Sequence, residues 1–450
     1  MSSLLGQRAV VIGAGLGGLS VAGVLAPHFE RVDVLERDEL AASVASRPGT
    51  PQDRHPHALL AGGLQALGEL FSGFEQDLAR AGAVPVSIPK DLRYERPDVG
   101  VLPNPDFGIP VFCASRPLIE FVLRRRVEAI ANIALCPTCR VTEIVAAPDA
   151  TVRGVRLQAR AGRMESLDAD LVVDATGRGT LTLALLDTLG WARPDITEVG
   201  VDISYATAVV KVPADAPLDW KAAVTHPAPP TVPWHAIILP MEGGHWMALI
   251  ATHGSAPRVE TWEAFLETLR LVITPTIRDA LLHAEPPESI GHFGFPASLW
   301  RHFERLPRLP HGILPVGDAL CRFNPIYGQG MSAAAKQARL LQDVLSSAAA
   351  GPDPIAAAQA GFMARVASVL QTPWNMSTSG DFAFPGTRGE RPEKFEEGRQ
   401  FEAALFRAAV ADPVVHRAVM EVGHLLQPES RLQELDIVRR IEAVSASAAA

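Results

Sequence analysis

Three glycines near the start of the chain have the spacing of a phosphate-binding turn. Gly13, Gly15 and Gly18 form a GxGxxG pattern between an apolar, β-branched run (RAVVIGAG) and a segment with helical apolar spacing. In this pattern the first glycine makes the turn and the second lets a pyrophosphate approach the backbone, while the third allows helix and strand to pack closely. The pattern predicts a dinucleotide at the N-terminus of the first helix.

An acidic residue follows where ribose recognition requires one. The strand-like segment RVDVLERD contains Glu36, eighteen residues after Gly18. A carboxylate at this place accepts hydrogen bonds from both ribose hydroxyls of an adenosine. Strand, turn, helix and acid together are far more specific than an isolated glycine pattern, although they do not distinguish NAD from FAD.

A second glycine turn lies far along the chain, in GDALCRFNPIYGQGMS (317–332). Gly328 and Gly330 open an alanine-rich helix, whose first N–H groups favour negative charge. Asp318, at the carboxyl end of the strand-like GILPVGD, is placed to bind a ribitol hydroxyl. Arg116, in a helical segment, can aim a guanidinium at the same cofactor, and LVVDATG (171–177) predicts another strand that ends in a tight turn.

The chain resembles the FAD-dependent monooxygenases of the aromatic-hydroxylase type, which are the group A, glutathione-reductase-like flavoproteins. The resemblance rests on motifs in this order: GxGxxG, a helical arginine, D-A-T-G, and G-D with N-P-x-x-G-Q-G-M. The resemblance covers about residues 8–340, and PQDRHPHALLAGG (51–63) is most similar to the flavin epoxidases of polyether and polyketide pathways. It implies an α/β fold in which a glutathione-reductase-like FAD-binding Rossmann domain is interleaved with a β-sheet substrate domain and followed by a helical C-terminal region.

The implied domains are discontinuous. The FAD-binding domain is expected over residues 1–75, 110–190 and 300–345, and the substrate sheet over 76–109 and 191–299. Residues 346–450 are expected to form a mainly helical C-terminal region.

The resemblance implies a reaction as well. FAD would insert one oxygen atom from O2 into an apolar, secondary-metabolite substrate by way of a flavin C4a-hydroperoxide, giving epoxidation or hydroxylation. Electrons would come from NADPH or NADH, docked transiently, or from a separate flavin reductase, since no other GxGxxG follows a strand. In this family the helix that begins at Gly328–Gly330 faces the pyrimidine edge of the flavin, where free N–H groups stabilise the reduced anion.

Three groups of site residues follow from the resemblance. The residues expected at the FAD are Gly13, Gly15, Leu16, Gly17, Gly18, Glu36, Arg37, Arg54, Arg116, Asp318, Gly328, Gly330 and Met331. The aromatic side chains expected to face the substrate, each also explicable as ordinary core, are Trp234, Trp246, Phe293, Phe295 and Trp300. The polar side chains expected to orient substrate or peroxide are Tyr327, His57 and His235.

Metal and thiol chemistry are not expected. Cys136 and Cys139 form a CPTC motif, but no second ligand pair follows at zinc-finger spacing. His55 and His57 flank a proline with no nearby carboxylate, so contact with the flavin explains this segment better than a metal does.

Three alternative functions remain open. A flavin halogenase shares the expected fold, although WHAIILP lacks the paired tryptophans of that class. A prenyl reductase of the geranylgeranyl type would saturate alkenes without oxygen. A flavin-binding protein without activity is disfavoured by the additional substrate domain.

Composition agrees with an enzyme of this size. The 450 residues suit two or three interleaved domains, and 48% hydrophobic with 20% charged residues is an ordinary globular balance. A net charge of -9 argues against a nucleic-acid partner. No apolar run reaches membrane-spanning length and no secretory signal precedes the first strand, so we expect a cytoplasmic protein without stable membrane insertion.

Overall fold

The computed structural model describes residues 4–213, 216–254, 257–349 and 351–449. The strands in these ranges are, in chain order, β1 (Gly6–Ile12), β2 (Phe29–Leu35), β3 (Ala58–Leu59), β4 (Val84–Pro89), β5 (Leu92–Arg96), β6 (Gly100–Val101), β7 (Asp106–Cys113), β8 (Ile133–Cys136), β9 (Arg140–Ala146), β10 (Val152–Gln158), β11 (Met164–Asp168), β12 (Leu171–Asp174), β13 (Ile196–Lys211), β14 (Ala222–Thr225), β15 (Trp234–Pro240), β16 (His245–His253), β17 (Ile290–Arg301), β18 (Ile313–Pro315) and β19 (Cys321–Arg322).

The α-helices in the same ranges are α1 (Leu16–Leu25), α2 (Ala61–Leu70), α3 (Phe74–Arg80), α4 (Arg116–Glu128), α5 (Thr180–Thr188), α6 (Trp262–Thr268), α7 (Thr276–Leu281), α8 (Gly330–Ala348), α9 (Pro354–Asp381), α10 (Phe395–Ala411), α11 (Pro413–Gly423) and α12 (Leu435–Ala449). None of these helices has both the length and the apolar run that a membrane crossing needs.

A parallel sheet organises the first part of the fold. Five strands lie in the order β18-β12-β1-β2-β8, and all the pairings are parallel. Val10, Val11, Val172 and Val173 are fully buried, as expected for a parallel sheet that is covered on both faces. Because parallel strands end at one edge, the turns that follow β1, β12 and β18 meet there.

A larger sheet forms the second part. Its eight strands lie in the order β19-β17-β13-β16-β15-β14-β5-β6, antiparallel except for the β14–β5 pair. Alternate residues of a strand point to opposite faces. One face, which includes Ala208 and Ile250, packs against α6 and α7, whereas Tyr205 on the other face belongs to the core shared with the parallel sheet. We call this second face the inner face.

Two three-stranded sheets, β3-β7-β4 and β11-β10-β9, complete the strands. The chain then becomes helical. Helix α9 follows α8 and ends at Asp381, which lies against the inner face of the large sheet, while α10, α11 and α12 contribute to a separate core with β4 and β7. The predicted α/β fold with a helical C-terminal region is confirmed.

Candidate functional site

The three glycines of the first turn differ in what surrounds them. Gly13 has a φ of 107°, and a Cβ there would lie 2.7 Å from the Ala175 carbonyl oxygen. A Cβ on Gly18 would overlap the Gly13 carbonyl oxygen. A Cβ on Gly15, in contrast, would meet no heavy atom of the described chain within 4 Å. Gly13 and Gly18 therefore serve the turn and its packing, and Gly15 leaves room beside the backbone.

Helices α1 and α8 begin without side-chain caps, unlike several other helices. Ser115, Asp353 and Asp412 cap α4, α9 and α11, each followed by a proline in the first two helical positions. Within the described residues, neither α1 nor α8 has a capping side chain or an acidic residue in its first turn. Their first N–H groups stay available to an anion.

Open space also borders the second glycine turn. Gly317 and Gly328 have left-handed φ values of 63° and 66°. A Cβ on Gly317, Gly328 or Gly330 would meet none of the described heavy atoms within 4 Å. Gly17 of α1 lies close to both α8 and Gly317. A Cβ placed on Gly17 would be 3.5 Å from the Cβ of Ala334 in α8 and 4.0 Å from the Gly317 Cα. The two uncapped helix starts thus lie close to one another.

Glu36 stands directly over the first turn. Its carboxylate accepts hydrogen bonds from the backbone N–H of Ala14 at 2.8 Å and of Asp38 at 3.0 Å. Only 5% of Glu36 is exposed. Its place beside the glycine turn fits a ribose-binding acid.

Arg47 joins this group although no motif marked it in the sequence. Its guanidinium lies 3.2 Å from Glu36, 3.1 Å from Asp38 and 2.8 Å from Glu120. Burial lowers the pKa of Arg47, but the hydrogen bond and charge of Glu120 and the charge of Glu36 outweigh it and hold the pKa above its usual range. The adjacent cleft is lined by Ser46, Pro117, Phe121 and other residues of these segments.

Arg116 and Asp318 come together from distant parts of the chain. Arg116 is the first residue of α4, and its Nε has no hydrogen-bond partner in the described ranges. Burial raises the pKa of Asp318, and the positive charges of Arg116 and two further arginines oppose that shift. Burial, and then the charge of Arg116, lower the pKa of His57 to about 3.

Four other residues predicted to contact the cofactor are either buried in the core or exposed at the surface. Leu16 and Met331 are buried in the main hydrophobic core. Arg37 is exposed, 3.8 Å from Asp38, and Arg54 is exposed beside Gly291. Their contact with a cofactor remains a prediction.

The aromatic pocket candidates divide between the two faces of the large sheet. Phe293 lies on the inner face, with its ring centroid 5.8 Å from that of Tyr205, and Phe295 and Trp300 are buried in the same core. Trp234 and Trp246 pack in the cluster against α6 and α7. The structure does not bring these two tryptophans together with the other three.

Tyr327 belongs to a buried polar network that the sequence did not reveal. The Tyr327 hydroxyl and the Asn324 amide donate to the same Asp381 oxygen, at 3.3 and 2.8 Å. The Tyr205 hydroxyl donates to the Asn324 side-chain oxygen at 3.2 Å. Asp381 is completely buried, and burial raises its pKa to about 7 against the hydrogen bonds from Asn324 and Tyr327.

Next to Asp381 begins a line of three histidines, which we call the histidine row: His253, His235 and His226. The Nε2 of His253 is 3.9 Å from the Asp381 oxygen. Ring centroids are 5.6 Å apart from His253 to His235 and 6.2 Å apart from His235 to His226. Burial lowers the pKa of His253 to about 4 and of His226 to about 3, and that of His235 well below its usual value. All three are neutral at pH 7.

A metal centre is not formed by the described residues, since no three His, Cys, Asp or Glu side chains among them converge as ligands. The four cysteines are free thiols. Cys113 and Cys321 are buried, and Cys136 and Cys139 are half-buried.

Comparison with known proteins places this geometry in context. No family model matches the chain. The chain is 33% identical over 449 residues to Protein Rv3254 of Mycobacterium tuberculosis (strain ATCC 25618 / H37Rv), covering 96% of this chain and 93% of that protein.

Solved structures share the fold at low identity. PqsL, a probable FAD-dependent monooxygenase from Pseudomonas aeruginosa, is 17% identical with a TM-score of 0.59, covering 84% of this chain and 97% of that chain. The p-nitrophenol 4-monooxygenase PnpA from Pseudomonas putida DLL-E4 is 18% identical with a TM-score of 0.64, covering 95% and 100%. The flavin-dependent brominase Bmp2 is 14% identical with a TM-score of 0.66, covering 98% and 99%.

The fold is therefore the glutathione-reductase-like fold of FAD-dependent monooxygenases and related flavoenzymes, as the sequence motifs predicted. Within this class of fold, the chain belongs to the same family as Protein Rv3254.

Proposed function

We propose that the protein is an FAD-dependent monooxygenase that inserts one atom of O2 into an organic substrate. The observation that carries the proposal is the pair of uncapped helix starts beside Gly15 and Gly330, both bordered by space that no described atom occupies. When bound and reduced, FAD supplies the activation of O2, which amino-acid side chains do not provide.

The described residues fit FAD in an extended form. The turn from Gly13 to Gly18 and the start of α1 suit the pyrophosphate, and Glu36 the adenosine ribose. Arg116 and Asp318 suit the segment between the pyrophosphate and the flavin. The uncapped start of α8 suits the electron-rich pyrimidine edge of the flavin. On this proposal, residues 1–75, 110–190 and 300–345 form the FAD-binding domain.

The inner face of the large sheet provides the other wall of the reaction site. Tyr205, Phe293 and Phe295 offer a buried apolar surface that excludes water and orients the substrate. Residues 76–109 and 191–299 then form the substrate domain, and the reaction is hydroxylation or epoxidation of a secondary metabolite. Electrons come from NADPH, NADH or a separate flavin reductase, and the cytoplasm is the proposed location.

The test is direct. Purified protein should be yellow, release its flavin on denaturation, and consume O2 when NADH, NADPH or reduced FAD is supplied. Protein that never binds FAD under these conditions would refute the proposal.

A flavin halogenase is the second candidate, because the brominase Bmp2 has the same fold with a TM-score of 0.66. Halide dependence separates the two functions. Oxygen uptake that yields a hydroxylated or epoxidised product in halide-free buffer supports the monooxygenase, and a product formed only with chloride or bromide supports the halogenase.

A further inference from the structure

We propose that Glu242, in the turn between β15 and β16, is a positioning residue that fixes Arg116 against the bound cofactor. The inference rests on the proposed function, because it takes Arg116 to contact FAD, and it deepens that function by joining the large sheet to the cofactor site. No sequence motif links the two elements, since Glu242 and its partner Ser115 are 127 residues apart in the chain.

The Glu242 carboxylate binds the residue that caps α4. One of its oxygens accepts a hydrogen bond from the Ser115 backbone N–H at 2.9 Å, and the other accepts one from the Ser115 hydroxyl. That hydroxyl in turn accepts the capping hydrogen bond from the Leu118 N–H at 3.3 Å. A hydroxyl has a single hydrogen, so donating it to Glu242 leaves the oxygen lone pairs for the helix. Glu242 therefore stabilises both the backbone and the cap at the start of α4.

Arg116 depends on this helix start for its position. It directly follows Ser115 as the first residue of α4, and Pro117 comes next. Its Nη2 lies 3.7 Å from the Glu120 carboxylate, too far for a hydrogen bond, and its buried Nε has no partner in the part of the chain that the structure describes. Because so few contacts fix the side chain, the backbone of Ser115 and Arg116 determines where the guanidinium lies.

Arg116 lies on the side of the fold where FAD is proposed to bind. Burial raises the pKa of Asp318, which follows β18, and the Arg116 charge opposes that rise. Burial lowers the pKa of His57, and the same charge lowers it further. The charge acts on both groups because they lie near the guanidinium. The unpartnered Nε is thus available to an anionic group of the cofactor.

The turn that carries Glu242 lies against the helices around the parallel sheet. Gly243 and Gly244 have left-handed φ values of 73° and 72°, which let the chain reverse directly after Glu242. A Cβ placed on Gly82, which follows α3, would be 3.4 Å from the Glu242 Cβ. The turn therefore packs between the end of α3 and the start of α4, and it connects the large sheet to Arg116.

A double-mutant cycle on the whole chain tests the proposal, with FAD affinity measured by fluorescence titration. Glu242→Ala should weaken FAD binding about tenfold, because the start of α4 loses two hydrogen bonds and Arg116 is no longer fixed. Arg116→Ala should weaken it by about the same factor, through the lost charge-assisted contact. If Glu242 acts through Arg116, the double variant should bind FAD no more weakly than Arg116→Ala alone, whereas independent effects would multiply to about a hundredfold.

Two further variants serve as controls. Glu242→Gln is the conservative change, since its amide oxygen accepts from the Ser115 N–H and its amide nitrogen donates to the hydroxyl. It should bind FAD within about threefold of the wild type. Asp412→Ala is the matched control, because Asp412 accepts hydrogen bonds from the N–H groups of Val414 and Val415 at the start of α11, in the separate core with β4 and β7. It should lower the melting temperature and leave FAD affinity unchanged.

The proposal is wrong if Glu242→Ala binds FAD as tightly as the wild type, or if the losses of the two single variants multiply in the double variant. Melting temperatures without flavin show whether each variant folds. Should Glu242→Ala not fold, Ser115→Ala, which removes the hydroxyl partner of the same carboxylate, replaces it in the cycle with the same expected outcome. Wild-type protein that binds no FAD refutes the proposed function and this inference with it, whereas a flavin-binding protein in which Glu242→Ala is neutral refutes the inference alone.

Discussion

Single residues of the first turn have separable roles, because each glycine meets a different environment. Gly18 faces the Gly13 carbonyl and Gly13 needs a left-handed backbone, while Gly15 borders open space in the described structure. Folding therefore constrains Gly13 and Gly18, and we propose that the cofactor constrains Gly15. The spacing alone predicted these roles, since they depend on a local strand, turn and helix.

Replacing Gly15 and Gly18 by alanine should give opposite results. Gly18→Ala forces helix α1 away from the turn. It should lower the free energy of unfolding of the flavin-free protein by about 1–3 kcal/mol, the cost of overpacking, and therefore lower its melting temperature. Gly15→Ala should leave that temperature nearly unchanged and weaken FAD binding. Thermal unfolding without flavin and fluorescence titration with FAD separate the two effects. Equal loss of stability in both variants would contradict these assignments.

Glu36→Ala should weaken FAD binding by on the order of 1–3 kcal/mol, since a charge-assisted pair of hydrogen bonds to the ribose is lost. The change also removes the acceptor for the Ala14 N–H and one of the three carboxylates around Arg47. Arg125→Ala is the control, because that exposed side chain pairs with Glu128 and is not among the residues predicted to contact the cofactor. A fully loaded Glu36→Ala protein with wild-type affinity would remove Glu36 from the site.

At the scale of elements, what the sequence predicted depended on how local the signal was. WHAIILP predicted β15 with the bounds that the structure gives, Trp234–Pro240. The sequence did not show which face of the sheet each side chain occupies, because that depends on the sheet register. The structure places Trp234 and Phe293, both predicted to face the substrate, on opposite faces. Asp381 was missed because its partners Asn324 and Tyr327 are more than fifty residues away in the chain.

The start of α8 offers a test of its own. Gly330→Asp places a carboxylate at the helix start that is proposed to stabilise the reduced flavin anion. Because the carboxylate repels that anion, the change should lower the two-electron potential of bound flavin by on the order of 10–40 mV. Gly330→Ala is the control for bulk: its Cβ meets none of the described atoms within 4 Å, and Gly330 does not have a left-handed φ. The potential is measured by dye-linked titration. Wild-type potentials in both variants would make this turn a purely structural helix start.

At the scale of the whole molecule, burial holds several histidines neutral. Burial lowers the pKa values of His55, His253, His416 and His424 to about 4, those of His57 and His226 to about 3, and that of His235 well below its usual value. Asp381 is shifted in the opposite direction, to about 7. The residue types alone do not predict these shifts, because each depends on burial in the folded chain.

The histidines should make the protein labile to mild acid. A histidine whose folded pKa lies below its unfolded value near 6.5 contributes stability above that value, and this stability is lost as pH falls towards the folded pKa. Each such histidine adds a slope of about 1.4 kcal/mol per pH unit between 6.5 and 4. Asp381 has the opposite sign, since its folded pKa is raised and its contribution is regained as pH falls from 7. These seven histidines outweigh one carboxyl, so denaturant midpoints should fall steadily from pH 7 to pH 4.5. His416→Phe should flatten that decline by up to one histidine's slope, and a midpoint that rises towards pH 4.5 in the wild type would show that these histidines are not held neutral by burial.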